Sequence, residues 1–301
     1  MDDYDKNKII VLYDSITYFR QNFKKKGVSV CDSFKKVNKV GKVFRKFSEF
    51  TTIGRNYWFG NWKNKLEHIN TVIVFAENRI DHLIYIKKKY PKIRIILWYW
   101  NPVFRCIHPD KIPEGLCEKW SFDFDDCKKY NLHYNNQFYF DNIELDKKQL
   151  IYDGFFLGNN KGRRNYLNDI KCIFTDNKLV SSFYIIPDEG ESNVEQFIPI
   201  SYEDYLNRFV SSTKGLIDVQ PTGQSGLTLR PLEAIFFKKK LITNDKKIKN
   251  YDFYHSSNIY ILGIDDNKSL VDFMNKKYEN INTEIIKKYD VSNWLNNFYL
   301  K

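Results

Sequence analysis

The hydrophobic pattern of the chain comes in two rounds. In the first, KIIVLYD (8–14), TVIVFAE (71–77) and KIRIILWYW (92–100) each hold an unbroken apolar run of strand length. A run that is apolar on both faces is what a buried parallel strand requires. Between these runs, SITYFRQNFKKKG ending on Gly27 and IDHLIYIKKKY (80–90) stopped by Pro91 carry helical spacing. Strand, helix, strand with short joins is a βαβ unit, whose parallel sheet needs helices over it. Residues 28–62 are basic, aromatic and poorly periodic, with at least one helix expected. KWSFDFDD (119–126) predicts a short strand into an acidic turn, DDCKKYNL a short helix, and NQFYF a further short strand.

Near residue 150 the pattern restarts. QLIYDGFFLGNNKGRR (149–164) reads as a strand, a loop with Gly158, Lys161, Gly162 and Arg163, and the start of a helix running through Phe174. SSFYIIP (181–187) predicts a strand closed by Pro187, and acidic DEGESNVEQ a loop. SYEDYLNRFVSSTK (201–214) predicts a helix whose Ser201 and Asp204 suit a capped start. GLIDVQ, LITN (241–244) and NIYILG (258–263) follow as strands, then helices over 267–280 and 281–300. The chain therefore predicts an α/β protein of two successive parallel-sheet modules, residues 1–148 and 149–301, with the last helix returning to the first.

One stretch concentrates candidate chemistry: Gly223 to Ala234, GQSGLTLRPLEA, between the GLIDVQ strand and FFKKKLITN. Gly223 and Gly226 allow close approach of a ligand to the main chain. Thr228 is placed as a helix N-cap, and Pro231 falls in the first turn, where it is tolerated. The N–H groups of such a helix start suit an anion, and Arg230 adds a cation. Glu233, one turn on, is placed to accept hydrogen bonds from vicinal hydroxyls such as those of a ribose. A βα turn with a surface arginine and a helix-stabilising glutamate is the plainer reading of the same residues. In open α/β sheets, ligands lie beyond the carboxyl ends of the strands. There the 158–163 loop supplies a second combination of glycine with base, the pair a diphosphate asks for.

Composition narrows the classes. Of 301 residues, 43% are hydrophobic and 17% aromatic, enough for real cores and against global disorder. No apolar run approaches a spanning helix, and the acidic opening MDDYDKNKIIVLYD is not a secretory signal. Five scattered cysteines fit reduced thiols in a cytoplasmic protein, and Cys106, His108 and Cys117 lack the paired close spacing of a zinc site. Net charge is +11, and it is unevenly placed: residues 1–100 hold 21 Lys+Arg against 9 Asp+Glu. Aromatics are interleaved with these lysines (Phe34, Phe44, Phe47, Phe50, Tyr57, Trp58, Phe59 and Trp62). A basic, aromatic surface of this kind suits an anionic membrane or a lipid-linked acceptor. No nucleic-acid module is recognisable, and no G-x-G-x-x-G fingerprint follows a strand, against a dinucleotide-dependent epimerase or dehydrogenase.

The twin modules, the glycine loop after the first strand of the second, and GLTLRPLEAIFFKKKLITN resemble GT-B glycosyltransferases of bacterial surface polysaccharide and lipopolysaccharide assembly. WSFDFDDCKKYNLHYNNQFYF resembles the inter-module segment of that group. The likeness is specific over residues 119–263 and architectural over 1–118. It implies two Rossmann-like domains facing a central cleft, the second binding a nucleoside-diphosphate sugar and the first supplying the acceptor face. On this likeness Glu233 holds the ribose hydroxyls, and Gly226, Leu227 and Thr228 lie at the diphosphate with Arg230. Gly158, Lys161 and Arg163 form the other donor loop. Many retaining relatives carry two glutamates separated by seven residues; the earlier position here is Ser225, so that glutamate's role does not carry over. No cofactor or metal is implied. The acceptor would be a growing, undecaprenyl- or lipid A-linked glycan at the inner face of the cytoplasmic membrane. An inverting enzyme would need a base from the first module, for which Asp14, Glu77 and His82 are the candidates. Two alternatives stand beside this. Asp123-Phe124-Asp125 is literally the DxD signature of metal-dependent GT-A glycosyltransferases, and the basic N-terminal third would also suit a non-enzymatic nucleic-acid binder.

Overall fold

The computed structural model describes residues 5–51, 53–188, 190–191, 198–220 and 225–300. The chain divides into two compact units, Met1–Asn136 with Leu295–Lys301, and Gln137–Trp294.

The first unit holds a six-stranded parallel sheet: β1 (Ile9–Leu12), β2 (Ser29–Cys31), β3 (Thr71–Phe75), β4 (Arg94–Tyr99), β5 (Glu118–Ser121) and β6 (His133–Tyr134). Their order is β2-β1-β3-β4-β5-β6. Every residue of β1 and β3 is buried, as unbroken apolar runs between two helical layers must be. Helices α1 (Thr17–Lys25), α2 (Lys39–Thr51), α3 (Asp81–Lys89) and α4 (Phe124–Tyr130) join the strands. Helix α1 gives way to Gly27 in the left-handed region, as the sequence pattern anticipates. The basic stretch 28–62 contributes more than a helix, since β2 adds an edge strand beside β1. Phe59 and Trp62 are wholly buried there, and the Trp62 indole donates to the Ser33 carbonyl at 2.9 Å. Residues 295–301 close the unit: Phe298 packs on Trp98 and Trp120, and the Tyr299 hydroxyl donates to Thr71 Oγ1 at 2.9 Å.

The second unit holds β7 (Tyr152–Asn159), β8 (Ser181–Ile186), β9 (Thr213–Asp218), β10 (Lys240–Thr243) and β11 (Ile259–Ile261). These too are all parallel, in the order β11-β10-β9-β7-β8. Its helices are α5 (Arg164–Asp176), α6 (α-helical over Tyr202–Asp204, then a π-helix over Tyr205–Val210), α7 (Leu229–Phe236), α8 (Leu270–Asn275), α9 (Thr283–Lys288) and α10 (Val291–Asn297). Gly154 and Gly215 face each other across β7 and β9. A Cβ on Gly154 would stand 2.5 Å from the Phe174 ring, so this glycine lets α5 close down on the sheet.

Three local expectations are corrected. NQFYF is not a strand: Phe138, Tyr139 and Phe140 are buried by packing, with Phe138 4.4 Å from Trp294, and only a single bridge joins Tyr139 to Asp290. His133–Tyr134 takes the sheet position instead. The helix expected to reach residue 214 ends at Val210, because Thr213 already pairs with Tyr152. The stretch 281–300 is two helices, parted where Asp290 accepts from the Ser292 N–H at 2.9 Å.

Both sheets have the same topology in their own strand order. In each, the first strand lies between the second and the third, so the winding direction reverses between first and third. That reversal opens a crevice at the carboxyl ends, between β1 and β3 in one unit and between β7 and β9 in the other.

Candidate functional site

At the carboxyl end of β7 the loop that follows is shaped around an anion. Lys161 and Gly162 both take left-handed backbone conformations, with φ of +48° and +73°. Their N–H groups thus converge in the concave arrangement that binds carboxylate or phosphate oxygens. The occupant belongs to the chain itself. Asp188, just past β8, accepts the Lys161 N–H on Oδ1 at 2.8 Å and the Gly162 N–H on Oδ2 at 3.0 Å. Behind it, Glu191 accepts from Asn160, from Arg164 Nε and from the Asp188 N–H, and these bonds hold its carboxyl down to about 2. Asp188 and Glu191, from a stretch read in sequence as a plain connection, are therefore the electrostatic complement of the basic loop.

Arg163 folds back over the end of its own strand. It donates to the carbonyls of Asn159 (2.9 Å) and Asn160 (3.2 Å), with its guanidinium above the Phe156 ring. Gly158 lies in β7, and a Cβ there would come within 3.4 Å of Arg163 Nη2 and 3.2 Å of the Phe156 ring.

Across the crevice, Thr228 is the N-cap residue of α7 by position but makes no capping bond. Its hydroxyl donates instead to Asp218 Oδ2 at 3.1 Å. Asp218 ends β9 and is buried, and burial pushes its carboxyl up to about 7, opposed by the Thr228 hydrogen bond and the Arg163 charge. Nothing in the sequence singled this residue out, although an acid closing an apolar strand (GLID) was a usable signal. Gly226 and Leu227 are buried, and the Gly226 carbonyl accepts from Gln220. Gly223 lies outside the described residues.

Glu233, read in the sequence as a candidate partner for vicinal hydroxyls, has both carboxylate oxygens engaged within the chain. It is 1% exposed. Oε1 accepts the Tyr202 hydroxyl at 2.5 Å; Oε2 accepts the Tyr205 hydroxyl at 2.9 Å and Arg230 Nη1 at 2.5 Å. Tyr139 extends the chain, its hydroxyl 2.7 Å from that of Tyr202. Burial raises the Glu233 carboxyl, while Arg230 and Tyr202 pull it back. Burial has the larger effect, so the three charge-assisted hydrogen bonds offset only part of the desolvation. Arg230 is fixed on three sides, by Glu233, by the Leu157 carbonyl at 2.9 Å and by the Tyr205 ring. The structure thus brings Arg230 beside the end of β7 and makes Glu233 its anchor.

In the first unit, Asp14 and Glu77 follow the adjacent strands β1 and β3, at that unit's own crevice. Asp14 accepts the Ser33 N–H at 2.8 Å. Solvent reaches both carboxylates, yet partial desolvation raises both, and the negative charge of Asp14 raises Glu77 further. His82 does not join them. It is buried against Phe34 and Phe59, neither ring nitrogen has a partner, and burial pushes its pKa down to about 3. A base must reach the proton it takes, and His82, unlike Asp14 and Glu77, is closed off from solvent.

The Asp123-Phe124-Asp125 run is also reassigned. Asp123 is buried, and its Oδ1 accepts the N–H groups of Asp125 and Asp126 at the start of α4. Asp126 in turn accepts the Val103 N–H at 2.8 Å. The aspartates tie a helix start to a neighbouring loop, which is the ordinary work of an N-cap. Among the described residues, no three His, Cys, Asp or Glu side chains converge as a metal site, and no helix is long and apolar enough to cross a membrane.

No protein-family model matches the chain, and no curated protein sequence matches it. Solved structures do. The sucrose-phosphate synthase of Thermosynechococcus elongatus aligns with a TM-score of 0.54 over 97% of this chain and 98% of its own, at 8% identity. Anabaena HepE, solved with UDP and glucose, aligns at a TM-score of 0.48 and 7% identity, covering 97% and 98% of the two chains. A glycosyltransferase from Rickettsia africae aligns at 0.43 and 10%, covering 97% and 88%. The match to the synthase shows the fold: this chain is built of two Rossmann-like domains of the GT-B type.

Proposed function

We propose that the protein is a glycosyltransferase that moves a sugar from a nucleoside diphosphate to an acceptor hydroxyl. One observation carries the reading: on a GT-B fold, the carboxyl end of β7 carries a paired N–H cradle in the loop after it, turned to the end of β8, and an arginine from α7 locked on the Leu157 carbonyl. Negative charge grows on the diphosphate as the glycosidic C–O bond breaks, and preorganised N–H groups and cations favour that charge without a metal. The acceptor oxygen forms the new bond. In an inverting reaction its proton passes to a carboxylate, for which Asp14 and Glu77 are the two solvent-reached candidates.

In this reading the donor residues are Gly158, Lys161, Gly162, Arg163, Gly226, Leu227, Thr228 and Arg230, with Glu233 holding Arg230 in place. Ser225 stands where many retaining relatives carry a glutamate, so we assign no carboxylate on the donor sugar. The acceptor is a hexosyl- or deoxyhexosyl-accepting, lipid-linked surface glycan, met at the inner face of the cytoplasmic membrane. The basic first hundred residues support this part of the reading.

A thermal-shift screen of nucleoside diphosphates and their sugars tests the donor site, because a ligand bound only to the native state raises apparent stability. Stabilisation by one nucleoside diphosphate, lost in Arg230→Ala, is expected. Absence of any shift across the panel, or a shift that Arg230→Ala leaves intact, counts against it.

A further inference from the structure

Helix α2 is built inside out. Its residues at helical spacing, Val40, Val43, Phe44, Phe47 and Phe50, are 61–88% exposed. One edge of the stripe is closed by buried Ser48, with half-buried Arg45 beyond it, and this side of the helix is the less exposed one. A surface helix ordinarily turns its apolar stripe to the core, and here the stripe faces out. Five apolar side chains in register on one helix exceed the scattered exposure of a soluble surface.

Several aromatics that looked alike in sequence are separated by this geometry. Phe34, Phe59 and Trp62 are core residues, whereas Phe44, Phe47 and Phe50 are not. What lies beside the stripe identifies its partner. At 100° per residue, Lys39, Lys42 and Lys46 fall along one flank of the stripe, on the side away from buried Ser48, and all three are exposed. An apolar stripe edged by lysines, on a helix of about 20 Å, fits a surface that is oily beneath a layer of negative charge.

We propose that α2 docks the protein on an anionic lipid bilayer, the stripe entering the boundary between headgroups and acyl chains and the lysines meeting lipid phosphates. This deepens the peripheral-membrane part of the function proposed above and rests on that part alone, since it needs neither donor nor transfer. A second copy of the chain is the competing occupant. The lysines argue against it, because a two-fold pairing of stripes would bring like charges together.

Co-sedimentation with vesicles of phosphatidylcholine alone, or mixed with phosphatidylglycerol, tests the proposal. The protein should partition onto the mixed vesicles and only weakly onto the neutral ones. Phe44→Ser with Phe47→Ser should weaken partitioning about ten-fold or more. Lys42→Gln with Lys46→Gln should weaken it about five-fold per charge and remove most of its salt dependence. The substituted side chains are exposed, so unchanged thermal unfolding and unchanged nucleotide-induced shifts would show that only docking was altered. Three results would overturn the proposal: no partitioning onto mixed vesicles, partitioning that the Phe pair leaves intact, or a dimer in sedimentation velocity that the Phe pair dissociates while vesicles bind nothing.

Discussion

The carboxylate of Asp188 sits on the main chain of Lys161, accepting its N–H at 2.8 Å and that of Gly162 at 3.0 Å. The place where a diphosphate is proposed to bind is thus filled, in the protein alone, by an internal anion. A ligand using the same N–H groups must displace it, and its apparent affinity falls by the fraction of time the cradle is closed. Asp188→Ala should therefore tighten nucleoside-diphosphate binding by roughly three- to ten-fold in calorimetry. Equal or weaker binding would mean that Asp188 shapes the loop and does not compete for it.

The Arg230–Glu233 pair makes a sharper demand on stability. Both members are largely buried, so removing one leaves a charge in low dielectric. Arg230→Ala should cost about 3–5 kcal/mol in urea unfolding, unless Glu233 takes up a proton. Arg230→Met combined with Glu233→Gln should cost clearly less than Arg230→Ala alone, since no unpaired charge remains. Equal losses would show that packing, and not charge, dominates here.

Asp218 gives the second unit a pH dependence of defined sign. Its folded pKa of about 7 lies above the unfolded value, so the folded state holds the proton more tightly. Its contribution is fully present below about pH 4 and is lost as pH rises through about 7, up to about 4 kcal/mol in all. Asp218→Asn keeps an acceptor for Thr228 and should flatten the stability profile between pH 4 and 7. A profile with unchanged slope would assign the dependence to other carboxyls.

His82 and the two strand-end carboxylates are expected to separate cleanly. His82→Leu removes two buried, unpartnered ring nitrogens, so it should leave stability unchanged or raise it, with turnover unaffected. In an inverting enzyme, Asp14→Asn or Glu77→Gln should lower kcat by about 100-fold or more. Steady-state kinetics on the identified substrate, beside urea midpoints, reads both.

Gly154 faces the Phe174 ring too closely for any Cβ. Gly154→Ala should lower stability by about 1–3 kcal/mol through overpacking. Gly215→Ala should cost less, because the nearest atom to its Cβ is the mobile end of Ile242, at 2.9 Å. Comparing the two urea midpoints tests the order.

The fold was largely legible because parallel strands buried on both faces must be continuous apolar runs. VLYD, IVFA and IILWY could hardly be anything else. Reading failed where burial comes without a ladder: Phe138 and Phe140 are as apolar as any strand but are held by rings. It failed again at Ser29–Cys31, too short and too closely framed by lysines to stand out. At the site, residue types were readable and their partners were not. Arg230 and Glu233 are three apart, yet what fixes them lies on β7 and α6, brought close only by folding. Asp188 was hidden for the same reason, 27 positions from the amide it binds.

The shared strand order of the two sheets has a chemical consequence. Each unit repeats one plan, so the same architectural address occurs twice in the chain, once after β1 and β3 and once after β7 and β9. At the first address stand the acids Asp14 and Glu77; at the second stand the cations Lys161, Arg163 and Arg230, beside the buried acid Asp218. A single scaffold thus carries different ionisable side chains at its two strand-end addresses, and under the function proposed above they would serve proton acceptance in one half and anion reception in the other. On that proposal, division of labour is a matter of which side chains occupy a strand end, and exchanging them by mutation is a direct way to ask how much of the chemistry belongs to the address itself.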